Sequence, residues 1–251
     1  MKGVAIILGL IGVLVLSVLM GFAHASDVSI LSTSAFTDSL GNYHIVGEIQ
    51  NNLQSSIDYV EITATYYNDS NVEVGTWMAF TELDVVDPGV KASFYVVYSD
   101  TAVVPQIHNY TLEITYQTAS PKPQGLKIVS NSSYMDEDGD MHVTGEIQNL
   151  QTQDADDVMA IATFYDAEGT VVDVEATYTQ PWTLIPNQIA PFDIIVPDPS
   201  QIPKICSYVL TCQSLEYSAV VPEYGPITLV FLLSCSTILV LVLKKKTNHK
   251  S

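Results

Sequence analysis

Hydrophobic and polar residues alternate along much of the central chain. In residues 59–67 the apolar side chains fall at every second position, at Val60, Ile62, Ala64 and Tyr66, and residues 110–116 follow the same pattern. An apolar period of two predicts β-strands that turn one face toward a core. Between the apolar ends of the chain, no segment has the 3.6-residue period of a helix. The pattern therefore predicts an all-β fold.

Turn-forming residues separate these alternating segments. Gly, Asn, Asp and Pro cluster at residues 39–42, 68–71 and 87–89, and again at 138–140, 166–169 and 185–187. These residue types favour the backbone conformations of tight turns. Many short strands with turns at such intervals predict an Ig-like β-sandwich.

The same pattern occurs twice in the chain. A shift of 98 residues places residues 28–117 on residues 126–215 without a gap, and 26 of the 90 aligned pairs are identical. The segment GEIQN at 47–51 recurs at 145–149, and ATYY at 64–67 recurs as ATFY at 162–165. The repeat predicts two tandem β-sandwich domains, residues 26–117 and 125–216, joined by a proline-bearing linker at 118–124.

The N-terminus begins with an apolar segment, residues 3–22, followed by the small-x-small pattern AHA at 23–25. Residues 1–25 are therefore predicted to be a signal peptide, cleaved between Ala25 and Ser26. The segment is also long enough to span a bilayer, so an uncleaved anchor is the alternative. Both readings place the following chain outside the cytoplasm.

The C-terminus carries a second apolar segment. Residues 227–243 contain no charge and would extend about 25 Å as a helix, and three lysines follow at 244–246. These features predict a stalk at 217–226, one transmembrane helix at 227–243 and a cytoplasmic basic tail at 244–251. We expect a single-pass protein of the cell membrane, with most of the chain extracytoplasmic.

The charge of the exported part limits its partners. Between Ser26 and Pro226 four lysines oppose all 28 acidic residues, a net charge of −24 (4 − 28). Such a surface repels nucleic acid and anionic lipid headgroups. We therefore expect no nucleic-acid partner, membrane contact through the C-terminal helix, and other cell-surface or envelope proteins as partners.

Two segments carry a resemblance to a known family. The first is HVTGEIQN…VMAIATFYDAEGTVV…YTQPWTLIPNQIAPFDI, within residues 142–194, and the second is HIVGEIQN…ITATYYNDSNVEV, within residues 44–74. They resemble the FxLyD family of small extracytoplasmic β-sandwiches. The resemblance implies the fold of both repeats and supplies no catalytic residues.

The residues before the C-terminal apolar segment carry a second resemblance. Val221, Pro222 and Pro226 form a motif similar to the VPxxxP-type sorting signals of archaeal surface proteins, whose tail an archaeosortase removes. The alternative is a permanent transmembrane anchor. The intact mass of the membrane-extracted protein distinguishes the two.

Few residues are candidates for chemistry. Asp136, Asp138 and Asp140 surround a tight turn and are weak candidates for the ligands of a calcium ion, and the pattern favours a solvated hairpin turn with Asp-Gly at its tip. No other cofactor is expected. His44 and His142 occupy the same repeat position and are expected to be structural. Cys206 and Cys212 lie too far apart along one predicted strand to form a disulfide.

Three sequons lie in the predicted exterior, at Asn68, Asn109 and Asn131, and are candidates for glycosylation. The chain contains no G-x-S-x-G, no H-E-x-x-H, no glycine-rich phosphate loop and no C-x-x-C. We therefore expect no enzymatic activity.

Together these features predict a membrane-tethered extracellular surface protein that acts as a structural, adhesive or protein-interaction module. The alternative is a ligand-binding accessory domain of an exported transporter or sensor system.

Overall fold

The computed structural model describes residues 27–220. The first repeat contains seven strands, β1 Val28–Thr37, β2 Tyr43–Asn51, β3 Ser56–Tyr67, β4 Glu73–Phe80, β5 Val85–Val86, β6 Lys91–Tyr98 and β7 Asn109–Ala119. The second repeat contains β8 Gln124–Met135, β9 Met141–Asn149, β10 Met159–Tyr165, β11 Val171–Tyr178, β12 Ile189–Val196, β13 Ser207–Gln213 and β14 Ser218–Ala219.

The described chain is all-β, as the alternating pattern predicts. Its helical structure consists of two single 3₁₀ turns, Val104–Gln106 and Ile202–Lys204. Within residues 27–220 no helix has the length and apolar character needed to cross a membrane. The predicted signal peptide and the predicted transmembrane helix at 227–243 lie outside the described residues.

In the first repeat, two sheets pack face to face. One sheet has the order β1-β2-β6, and in the other β3 pairs with β4, β5 and β7. The alternating apolar residues of both sheets meet between them and are fully buried, as Ile45, Ile62, Tyr66 and Phe94 illustrate. This two-layer arrangement removes the apolar face of each strand from water.

In the second repeat, the sheets are β8-β9-β12 and β11-β10-β13. The short strand β14 pairs with both β13 and β8 and so joins the two sheets along one edge. The core between them includes Val143, Ala162, Phe164, Phe192 and Ile194.

The two repeats share strand register to the residue. In both repeats the β1–β2 type pair has a bulge at the same place, between Ile30 and Ser32 and between Ile128 and Ser130. Four positions with positive φ also coincide after the shift of 98 residues, including Gly41 at 86° and Gly139 at 92°. The repetition in sequence is thus a repetition of backbone geometry.

A glycine that occurs at the same position of both repeats explains part of this agreement. A Cβ atom at Gly47 would lie 2.6 Å from the carbonyl oxygen of Ser32 and 2.6 Å from Phe94. At Gly145 a Cβ atom would likewise overlap the Ser130 carbonyl oxygen and would lie 2.6 Å from Phe192. Only glycine lets the bulged strand and the core phenylalanine approach the middle strand so closely.

The repeats follow each other with little intervening chain. Strand β7 ends at Ala119 and β8 begins at Gln124, so the segment between strands is shorter than the predicted linker 118–124. The Nζ of Lys122 donates to Asp84 Oδ2 at 2.9 Å and to the Ser214 carbonyl at 2.7 Å. This lysine therefore ties the connection to both repeats.

Candidate functional site

The two repeats make a direct contact that uses a different surface from each. Strand β11, the edge strand of the second repeat, lies across the outer face of the β1-β2-β6 sheet of the first. Val46, Val171 and Val174 form a buried apolar cluster at the centre of this contact. Phe36, Tyr95 and Tyr165 pack around the cluster. Burial of these side chains stabilises the contact.

Hydrogen bonds fix the position of β11 on that face. The Tyr165 hydroxyl donates to Glu48 Oε2 at 2.9 Å, and the Lys91 ammonium donates to Glu48 Oε1 at 2.8 Å. The backbone N–H of Val171 donates to Ser32 Oγ at 3.1 Å. Glu48 is 4% exposed and is paired through both oxygens, which offsets the cost of burying its charge.

A second group of contacts lies at the other side of the junction. The Gln213 side chain donates to the Glu82 carbonyl at 2.8 Å and accepts from the Asp84 N–H at 3.0 Å. Ile161 of β10 packs into the core cluster of the first repeat. The two sandwiches are therefore joined by apolar, hydrogen-bonded and ionic contacts together.

One buried and two partly buried carboxyl groups line this junction. Burial raises the pKa of Glu175 to about 8, and the nearby Asp173 and Glu82 raise that pKa further. Burial also raises the pKa of Asp173 to about 7, against a hydrogen bond from the Val174 N–H, and Asp198 adds to the increase. The pKa of Glu82 is raised by burial as well.

Sequence reasoning did not identify these acids as a group. The one local signal is residues 171–175, VVDVE, in which apolar residues occupy both faces of the strand. Apolar residues on both faces are typical of a strand that is buried on both sides.

The corresponding face of the second repeat is uncovered. On the outer face of the β8-β9-β12 sheet, Ser130, Ser132 and Glu146 are exposed, whereas their first-repeat counterparts are partly or fully buried. A shallow depression of about 450 Å³ lies on this face, between Ser130, Thr144 and Asp193. The side chain of Asp193 is 47% exposed.

The edge strand β4 of the first repeat is also uncovered. It carries three large apolar side chains in water, with Trp77 54%, Met78 37% and Phe80 48% exposed. In the second repeat the first four residues of the equivalent strand, Val171 to Val174, are all buried. Edge strands with exposed apolar side chains are typical of protein contact sites.

The acidic cluster predicted to bind calcium closes a turn. Asp136 Oδ1 accepts the backbone N–H groups of Asp138 and Asp140 at 3.0 and 2.8 Å, and its Oδ2 lies 3.4 Å from His142 Nε2. Asp38 makes the same turn in the first repeat, with Leu40 and Asn42 as donors. In the described residues no three His, Cys, Asp or Glu side chains are arranged to hold a metal ion. The calcium site stays a prediction without support from these contacts.

Both histidines are held by aromatic and acidic neighbours. His44 stacks on Phe36 at 4.7 Å between ring centroids and contacts Asp38 Oδ2 at 3.0 Å. His142 stacks on Tyr134 at 4.8 Å.

The Nδ1 of His142 lies 2.9 Å from Asp193 Oδ1, and the hydrogen bond to Asp193, with a weaker one to Asp136, raises the pKa of His142 against the effect of burial. These contacts hold the turn between β8 and β9 close to strand β12.

The three sequon asparagines are placed differently. Asn68 Oδ1 accepts the N–H groups of Ser70 and Val72, both at 3.0 Å, within an exposed turn. Asn109 is exposed on β7, and Asn131 is half-buried on β8, where its Oδ1 accepts the Tyr208 hydroxyl at 3.1 Å. Glycosylation stays a prediction for all three.

The remaining predicted residues divide in two. Cys212 is fully buried, burial raises the pKa of its thiol to about 12, and no disulfide joins it to Cys206. The predicted cleavage site at Ala25 and Ser26 and the sorting-like residues Val221, Pro222 and Pro226 lie outside the described residues.

A cleft of about 740 Å³ opens where the repeats meet. Its walls come from both repeats and include Leu83 and Val90 of the first and Ile128, Tyr208 and Leu210 of the second. Lys122 and Lys127 also line it. Apolar walls with a few polar groups are typical of small-ligand sites.

No family model and no curated protein matches the chain. Among solved structures it is similar to a red sea bream transglutaminase, with a TM-score of 0.27, 8% identity, and coverage of 82% of this chain and 31% of that chain. For an exo-chitosanase of Amycolatopsis orientalis the TM-score is 0.28 and the identity 11%, with coverage of 79% of this chain and 26% of that chain. For a β-glucuronidase from glycoside hydrolase family 2 the TM-score is 0.24 and the identity 15%, with coverage of 76% of this chain and 23% of that chain. The chain spans about a quarter to a third of these proteins, and similarity at these TM-scores carries no argument about activity.

Proposed function

We propose that this chain is a membrane-tethered protein of the cell exterior whose two Ig-like repeats act as a structural or adhesive protein-interaction module. The observation that carries the proposal is the exposed apolar edge of β4. Trp77 lies opposite the buried Ala64 on the core-facing side of β4, whereas Met78 and Phe80 lie on the opposite side. Both sides of this strand therefore expose large apolar side chains, and among the described residues the strand has no neighbour on its outer edge. Large exposed aromatic side chains on an open edge favour contact with another protein.

Three features of the sequence support the cellular setting. The chain has an apolar segment near each end, a basic tail after the second, and a strongly acidic part between them. This arrangement is typical of an exported, single-pass protein. The resemblance of both repeats to the FxLyD family, and of residues 221–226 to a sorting signal, supports the same setting.

The location is tested by adding protease to intact cells that express the chain with a C-terminal epitope. We expect cleavage of the β-repeats outside the cell and protection of an epitope placed after residue 251. A chain that is fully protected until the cells are lysed would exclude an exterior location.

The interaction role is tested by cross-linking on intact cells followed by mass spectrometry. We expect cross-links from the first repeat to other surface proteins or to further copies of this chain. The variant Trp77→Ser with Phe80→Ser should reduce them, whereas Trp182→Ser, which removes a 61% exposed aromatic side chain from a loop of the second repeat, serves as a control for loss of one aromatic. Unchanged cross-linking in the β4 variant would remove the edge from the proposal.

The cleft between the repeats favours the alternative, a ligand-binding accessory domain of a transporter or sensor. Its size, about 740 Å³, suits a small organic ligand. A thermal-shift screen of small metabolites against the full-length protein in detergent tests it. A reproducible increase in unfolding temperature that is lost in Leu210→Trp, which fills the cleft, would favour this function over the first.

A further inference from the structure

The contact between the two repeats is heterologous, because it joins two different surfaces. The second repeat contributes an edge, formed by β10 and β11, and the first contributes a face, formed by β1, β2 and β6. Since both repeats have the same fold and register, each repeat owns one edge and one face of this kind. Within one chain, the edge of the second repeat and the face of the first are in contact. The edge of the first repeat and the face of the second are free.

The exposure of paired positions shows which surfaces are free. Val46 and Glu48 on the used face are 0% and 4% exposed, whereas Thr144 and Glu146 on the free face are half-exposed and exposed. The free edge is β4, where Glu73 and Thr76 are exposed although the matching residues of β11, Val171 and Val174, are buried. The free edge and the free face thus lie in water in an isolated chain.

Two hydrogen-bonded links of the internal contact have matching groups on the free surfaces, whereas Lys91, which pairs with Glu48, corresponds to Ile189. Ser32, which accepts the N–H of Val171, corresponds to Ser130, and the matching N–H belongs to Glu73. The tyrosine of the internal Tyr165–Glu48 pair corresponds to Tyr67, and its glutamate corresponds to Glu146. Both polar links can therefore form again between the free edge and the free face.

One apolar pair of the internal contact corresponds to a polar pair on the free surfaces. Val46 and Val171, which touch inside the chain, correspond to Thr144 and Glu73, so an apolar pair becomes a hydroxyl donor beside a carboxylate acceptor.

The partners of the buried acid change as well. Asp173 has Tyr95 nearby in the internal contact. On the free face, Asp193 occupies the position of Tyr95. On the free edge, Gly75 occupies the position of Asp173. The free edge thus has no counterpart of the Asp173 carboxylate. Glu73 approaches Thr144, whose cross-strand neighbour is Asp193, and salt screens the repulsion between these two carboxylates.

We propose that the β4 edge of one chain docks on the β8-β9-β12 face of a second copy of this chain, repeating the contact that joins the two repeats within each chain. This proposal rests on the proposed function and names the partner as the protein itself. A heterologous contact of this kind continues from copy to copy, so it builds a row of chains rather than a closed dimer.

Charge sets the conditions under which the row forms. The described residues carry four lysines against 27 acidic residues, a net charge of −23 (4 − 27), so copies repel each other at low ionic strength. Salt screens charges that are more than about 8 to 10 Å apart, whereas hydrogen-bonded contacts are affected less. Association should therefore increase with salt, the opposite of a contact held by surface ion pairs.

Disulfide trapping tests the geometry directly on the full-length protein in detergent. Because the internal N–H to Oγ distance of 3.1 Å brings the two backbones close together, cysteines at the matching positions should bridge under mild oxidation. We expect Glu73→Cys with Ser130→Cys to give a reducible ladder of dimers, trimers and larger species that grows with salt. Ser32→Cys with Val171→Cys is the matched control and should trap the internal contact within a monomer.

Each single-cysteine variant separates this geometry from other modes of association. Either one should give no ladder beyond what the native cysteines produce. A product that stops at dimers, or a double variant that stays monomeric at all salt concentrations while the internal control bridges, would overturn the proposal.

A second variant removes reliance on introduced cysteines. Thr144→Glu places another carboxylate opposite Glu73 and should lower the associated fraction in sedimentation about tenfold, whereas Ser120→Glu adds the same charge to the exposed linker and should not. Oligomers that are equally abundant in both variants would overturn the docking geometry. A monomeric chain that external protease still cuts on intact cells would overturn self-docking alone and leave the proposed location intact.

Discussion

The side chain of Asp173 is the most informative single position for testing the electrostatics of the junction. It is 1% exposed, its Oδ1 accepts the Val174 N–H at 2.9 Å, and its Oδ2 has no hydrogen-bond partner among the described residues. Burial raises the pKa of this carboxyl from 3.8 to about 7. Folding therefore favours the protonated acid, and the variant Asp173→Asn supplies a neutral side chain of the same shape at every pH.

The pKa values give the sign and size of the effect. Between pH 3.8 and pH 7 the folded chain holds a proton that the unfolded chain releases, so the wild type loses stability as the pH rises through this range. A difference of about three pKa units corresponds to roughly 4 kcal/mol, since one unit is about 1.4 kcal/mol. Asp173→Asn should thus be about equal to wild type at pH 4 and more stable by up to about 4 kcal/mol at pH 8.

Urea unfolding of the full-length protein in detergent, followed by circular dichroism at pH 4, 6 and 8, measures this difference. The control is Asp166→Asn, which also removes one charge but leaves a side-chain oxygen for the N–H groups of Glu168 and Thr170. Its first-repeat counterpart is already an asparagine, Asn68. A stability difference for Asp173→Asn that is constant with pH, or that turns negative above pH 7, would refute the assigned burial and charge.

Three further predictions concern positions that the repeat makes comparable. Tyr66→Phe should leave stability unchanged or raise it by about 1 kcal/mol in thermal unfolding, because the buried hydroxyl has no partner among the described residues and the counterpart is Phe164; a clear loss would contradict this. Gly145→Ala should cost about 1 to 3 kcal/mol in urea unfolding, because its Cβ would overlap backbone and ring atoms, and an unchanged midpoint would show that the strand shifts freely. Asp193→Asn should destabilise the chain at pH 5 and less at pH 8, because the raised pKa of His142 gives stability that is present at low pH and is lost as the pH rises through that pKa; the same loss at both pH values would point to packing instead.

The alternating pattern and the 98-residue repeat determined the fold class. Strand period is a local property of the backbone, because successive side chains point to opposite faces, so Val60, Ile62 and Ala64 identify a core-facing strand without any knowledge of their neighbours. The turns could be predicted for the same reason, since Gly41 and Gly139 take positive φ values that glycine adopts without strain. The domain boundaries, the membrane segments and the surface location stay predictions.

The tertiary structure alone decided which surfaces of two repeats with the same strand register are covered. Sequence reasoning placed Asp136 and its acidic neighbours as a candidate site, but the carboxylate of Asp136 accepts turn N–H groups, because those donors are its nearest partners along the chain. It gave no role to Asp173 and Glu48, which are ordinary acids on their strands until the other repeat covers them. Burial depends on atoms about 100 residues away, and no local period records which neighbour will arrive. Glu146 and Thr144 are the exposed counterparts of Glu48 and Val46, and the docking role that we propose for them follows from the contact between the repeats.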